Sequence, residues 1–102
     1  MRHRVRFPLR CPVIFASDEF VGEGTVVNLG VPGCAGESHI TPAPGHYVRL
    51  HISMPENKGS LSVRLAKVRW SRDQCFGVEF LLISESHQVR LGRLLSVVMV
   101  TP

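Results

Sequence analysis

Apolar and polar residues alternate with a period of two along most of this chain. Leu9, Cys11, Val13 and Phe15 alternate with Arg10, Pro12, Ile14 and Ala16, the spacing of a strand with one buried and one wet face. Pro12 cannot donate to a ladder, so the strand needs an edge or a bulge there. Ser17-Asp18-Glu19 turns the chain into a second run, Phe20 to Leu29, where Gly22 and Gly24 mark a bend or a close backbone approach. A turn from Gly30 to Gly33 leads to a short third strand, Cys34 to Ser38. Beyond the loop Thr41-Pro42-Ala43-Pro44-Gly45, the residues Val48, Leu50, Ile52 and Met54 alternate with Arg49, His51 and Ser53, the cleanest strand of the chain.

The fifth run, after the turn Pro55-Glu56-Asn57-Lys58-Gly59, changes phase. Leu61, Val63 and Leu65 are odd, whereas Ala66, Val68 and Trp70 are even. A one-residue change of phase predicts a β-bulge, the device by which a small sheet curls towards closure. In the even phase Trp70 is expected in the core rather than stacked on a ligand. Ser71-Arg72-Asp73-Gln74 is the next turn, and Phe76, Val78 and Phe80 form a sixth strand. Six short antiparallel strands with regular turns indicate a small barrel. The end of the chain changes period: Ser84 suits a helix N-cap, Glu85 a first turn, and Leu91, Leu94, Leu95 and Val98 recur at helical spacing. Gly92 costs this helix about 1 kcal/mol relative to Ala, so it depends on docking against the barrel. Val97-Val98-Met99-Val100 also fits an extended strand.

At 102 residues, 44% hydrophobic and 20% charged, the chain is expected to be a single globular domain. Its apolar stretches are too short to span a membrane, and no signal-peptide core follows the arginine-rich start, so a whole chain in the cytoplasm is expected. Cys11, Cys34 and Cys75 fit neither a disulfide framework nor a metal knuckle and are expected in the core. The five histidines are scattered without metal-binding spacing, so no metal or cofactor is expected. No Ser/His/Asp arrangement, carboxylate pair or phosphate-loop lysine supports catalysis. Charge is uneven: Arg2, Arg4, Arg6 and Arg10 fall within the first ten positions, with no acid among them, and such a tip attracts phosphate.

Two short motifs flank the first hairpin. Arg2-x-x-x-Arg6 precedes the first strand, and Asn28-Leu29-Gly30-Val31-Pro32-Gly33 follows the second. With Val68-Arg69-Trp70 and Phe76-Gly77-Val78-Glu79-Phe80 in that order, the chain resembles PilZ domains, bacterial receptors for cyclic di-GMP, along nearly its whole length. The family pattern is R-x-x-x-R followed by D/N-x-S-x-x-G, so Gly30 stands where a Ser is expected. The resemblance implies a mainly β, six-stranded antiparallel split barrel with a C-terminal helix. It divides the single domain into an arginine arm (1–8), a barrel (9–82) and a helix (84–98). Arg6 and Arg10 also satisfy R-x-x-x-R, but Arg10 falls on the polar phase of the first strand, and Arg2 with Arg6 is the preferred register.

The resemblance implies cyclic di-GMP as ligand and Arg2, Arg6, Asn28, Gly30 and Gly33 as its binding residues. An arginine fork donates to guanine N7 and O6, pairs with phosphate and stacks on a base. Asn28 offers a donor and an acceptor to a guanine edge. Gly33 permits a positive φ and exposes backbone N–H groups, although Asn and Gly also serve ordinary turns. Gly30 lacks the family hydroxyl, a loss of about 0.5–1.5 kcal/mol, or up to about 3 against a charged partner. That is roughly threefold to a hundredfold in affinity. The implied function is a receptor that orders its arm over the barrel and signals to a protein effector, as monomer or homodimer. One alternative is a PilZ-fold adaptor that has lost the nucleotide. Another is a basic barrel for RNA or DNA, opposed by the few aromatics left to stack on bases.

Overall fold

The period-two runs form six strands in the computed structural model, which describes residues 6–100. They are β1 (Phe7–Ala16), β2 (Val21–Leu29), β3 (Gly33–Glu37), β4 (Tyr47–Ser53), β5 (Ser60–Arg72) and β6 (Cys75–Ile83), followed by the helix α1 (Glu85–Val100). The strands close into an antiparallel barrel in the order β1-β2-β3-β6-β5-β4. The last seam joins β4 to β1, from Val13↔Ile52 to Ala16↔Arg49. That seam begins only at Val13, so Pro12 lies where β1 has a partner on its β2 side alone, and its missing N–H breaks no β4 ladder.

Alternation decides the core. Cys11, Val13 and Phe15 are buried on β1, and Val48, Leu50 and Ile52 on β4. Phe15 and Phe76 meet in the middle with ring centroids 5.2 Å apart. Each such side chain contributes about 1.5–3 kcal/mol through removal from water. Cys11 and Cys34 are buried as expected, but Cys75, at the start of β6, is only half-buried. It pairs with Arg72 just after the tight turn at Asp73 and Gln74, where the sheet has run out of cover.

The phase change of β5 is a bulge at Arg64: Val63 pairs with Ile83 and Leu65 with Leu82, two residues against one. The next step, from Leu65↔Leu82 to Ala66↔Phe80, puts the extra residue on β6, and a second bulge of β5 lies further along, at Arg69, between Val68↔Val78 and Trp70↔Gly77. It overturns the expectation for Trp70. The extra residue reverses the phase after buried Val68, so Trp70 faces solvent and is 46% exposed.

The helix runs through Val100, not into a strand. Ser84 caps it, its Oγ accepting the His87 N–H at 3.4 Å. Leu91 and Leu95 enter the core cluster, which supplies the docking that Gly92 requires. The helix also covers a stretch of β5 that β6 does not reach. There the Ser62 N–H donates to His87 Nδ1 at 2.9 Å, and Arg90 donates to the carbonyls of Ser60 and Lys58.

Candidate functional site

Bulges also decide which motif side chains leave the core. On β2, Val26 pairs with Gly36 and Asn28 with Ala35, so Val27 is an extra residue. Continuing the period from buried Val26 would send Asn28 inward. The bulge instead buries Leu29 and leaves Asn28 partly exposed. The pairs Phe7↔Leu29 and Pro8↔Asn28 hold the start of β1 beside this point, so Arg6 arrives next to Asn28. Arg6 Nη1 donates to Asn28 Oδ1 at 3.2 Å.

Arg6 also lines a cavity of about 310 Å³ with Pro32, Arg69, Trp70, Gly77 and Glu79. Gly77 faces Trp70 across the ladder, and a Cβ there would strike the indole, so the ring lies over bare backbone. Arg69 Nε donates to Glu79 Oε1 at 2.7 Å, with a second contact from Nη2 to the same oxygen. This pair holds the Arg69 guanidinium beside the indole. The cavity thus presents two guanidiniums and one aromatic face, with an amide beside Arg6. The apolar period does not reveal Trp70 and Arg69 as cavity residues, because the bulge at Arg69 is silent in it. The signal was Gly77, a glycine in the facing strand where an aromatic covers the gap.

The remaining motif residues behave differently. The Gly30 N–H donates to the Gly33 carbonyl at 2.9 Å, closing the turn upon itself, and the Pro32 carbonyl accepts the Phe80 N–H at 2.9 Å. The Gly30 donor is therefore spent within the turn. Gly33 does not use a positive φ; among the described glycines, Gly45 and Gly59 do. Gly33 opens β3 opposite Glu79, and a Cβ there would collide with the Val78 carbonyl oxygen. Its reason is space, not dihedral freedom. Arg10 projects from β1 and donates to Glu37 Oε1 at 3.2 Å, away from the cavity. Arg2 lies outside the described residues.

Beneath the site, burial pushes the Cys34 thiol up to about 12, opposed by the charge of Arg6. Among the described residues, no cluster of His, Cys, Asp and Glu could hold a metal ion, and no helix is long and apolar enough to cross a membrane.

A family model described as PilZ domain matches residues 1–96. No curated protein is similar enough in sequence to match. Among solved structures, the inhibitor of motility MotI/DgrA of Bacillus subtilis superposes with a TM-score of 0.75 at 21% identity, over 92% of this chain and 49% of that one. YcgR of Escherichia coli, solved in complex with c-di-GMP, gives 0.77 at 14% identity, over 96% of this chain and 46% of that one. The PilZ domain of CeSA from a cellulose-synthesizing bacterium gives 0.69 at 14% identity, over 93% of this chain and 98% of that one. The chain thus spans about half the length of two of these proteins and nearly all of the third. At these identities the likeness is one of fold.

Proposed function

The chain belongs to the PilZ domain family, and from that premise we propose that it is a cyclic di-GMP receptor that passes the signal to a partner protein. The observation that carries this reading is the Arg6 to Asn28 hydrogen bond beside the exposed indole of Trp70. Cyclic di-GMP offers phosphates, guanine faces and guanine edges. Arg6 meets a phosphate or a guanine edge with its fork, Asn28 a guanine edge, and Trp70 a guanine face. Stacking on an aromatic is worth about 1–3 kcal/mol per base. Arg69 is neutralised by Glu79 at the rim, so it offers N–H donors rather than net positive charge. Arg2 joins as the arm orders over the ligand, and the altered surface is what the partner reads. PilZ domains are ligand-binding adaptors, and this reading asks for no catalytic step.

Gly30 favours a second reading, a protein-contact adaptor that has lost the nucleotide. The missing hydroxyl and the donor already used by Gly33 both weaken the turn as a ligand cradle. Calorimetric titration with cyclic di-GMP separates the two. Saturable heat at one site supports the receptor, and no heat up to high micromolar ligand leaves the adaptor.

A further inference from the structure

Each bulge of β5 pushes one arginine out of the ladder: Arg69 at the cavity described above, and Arg64 nearer the other end of the strand. Arg64 lines a larger cavity, about 450 Å³, that contains none of the motif residues. Bulges re-aim side chains next to functional sites. Here two of them, on one strand, aim guanidiniums into two separate cavities.

The larger cavity lies between the β1–β2 hairpin, from Ala16 to Glu19, and the β4–β5 ladder, where Tyr47, Arg49 and Arg64 line it. Arg49 and Arg64 lie on adjacent strands where the β4–β5 register shifts, between Val48↔Ala66 and Leu50↔Val63. Like charges on adjacent strands repel. The compensation is slight: Arg49 reaches Asp18 at 3.7 Å, but the Asp18 side chain is 97% exposed, and such a pair is worth little. Arg64 has no ion pair among the described residues. Lys67 lies 5.5 Å from the centroid of the Tyr47 ring, extending the basic stripe along a half-exposed aromatic.

We propose that this groove receives an acidic segment of a partner protein, its carboxylates taken by Arg49 and Arg64 and its chain packed on Tyr47. Arginine and tyrosine carry much of the energy in protein interfaces. Carboxylates would relieve the repulsion between the two guanidiniums. Asp18 and Glu19 line the same groove and repel a continuous run of phosphates or carboxylates, but leave room for a peptide whose acids are spaced to meet the two arginines. The groove sits at the Ala16↔Val21 end of the β1–β2 ladder, whereas Arg6 precedes its Phe7↔Leu29 end. A strand of this length spans roughly 30 Å, so partner and nucleotide can be held at once. The proposal does not depend on cyclic di-GMP binding.

The test uses the whole chain and a fluorescein-labelled ten-residue peptide of alternating Glu and Ser, with the alternating Gln and Ser peptide and a ten-thymidine DNA as controls. Anisotropy gives the affinities and ¹⁵N amide shifts give the location. The Glu-Ser peptide is expected to shift residues 16–19, 46–49 and 64–67, the Gln-Ser peptide is not, and R49E/R64E should lower affinity at least about tenfold. Shifts scattered over the surface, or equal binding of the DNA in the groove, would overturn the proposal. The shift map is read on the unmodified protein, so it decides even if the double variant unfolds. Cyclic di-GMP titrated separately into the same samples keeps the two sites' outcomes apart.

Discussion

The Arg6 guanidinium donates to the Asn28 side-chain oxygen at 3.2 Å, across twenty-two positions of sequence. The contact joins the residue just before β1 to the penultimate residue of β2. It fixes the Arg6 guanidinium beside β2 and occupies one acceptor of Asn28, so in the proposed complex a guanine edge must share or displace it. In the proposed complex Arg6 is both a ligand contact and a group that positions Asn28.

Replacing Arg6 by Ala should weaken cyclic di-GMP binding at least about tenfold, the scale of one charge-assisted hydrogen bond. Arg6→Lys should recover little, because an ammonium lacks the planar fork. Calorimetry on both variants checks this, and wild-type affinity in Arg6→Ala would remove Arg6 from the site.

Gly30→Ser restores the family hydroxyl at a turn whose own N–H is already used by Gly33. The expected gain is roughly threefold to a hundredfold in affinity. An unchanged dissociation constant would mean that the hydroxyl has no partner in this protein.

The barrel was legible because alternation is a property of each strand by itself, and β1 and β4 display it without interruption. Bulges are pairwise properties. The shift at Arg64 showed in the sequence because apolar residues continue on both sides of it. The shift at Arg69 did not, because the residue after it, Trp70, is apolar and yet faces solvent. The same limit explains Gly33: a glycine in a turn suggests a dihedral, while the need here is clearance from the Val78 carbonyl on another strand. Arg6 and Asn28 were legible as motif residues, but that they touch follows from the β1–β2 register.

Cys34 gives a pH prediction. The thiol moves from an ordinary value of 9.0 up to about 12 on burial, so the folded state holds its proton more tightly than the unfolded one. This contribution is fully present below about pH 9 and is lost as pH rises through about 12, with a slope of at most about 1.4 kcal/mol per pH unit. Denaturant unfolding between pH 8 and pH 11 should show stability falling in the wild type and falling less steeply in Cys34→Ala. Parallel slopes would show that another group dominates.

Leu91 is the apolar anchor of α1, 1% exposed within the core cluster. Truncation to Ala should cost about 2–5 kcal/mol. A thermal melt should show a Tm lower by at least about 8 °C. A shift of only a degree or two would mean that the His87 and Arg90 contacts alone hold the helix in place.

The chain has a single tryptophan, and it lines the candidate site. Its fluorescence during titration with cyclic di-GMP is the most direct measurement of the central claim. Binding at this cavity predicts saturable quenching as a guanine covers the Trp70 indole, lost in Arg6→Ala. Calorimetric binding with no change in Trp70 emission would place the ligand elsewhere, and no binding by either method would contradict the receptor reading.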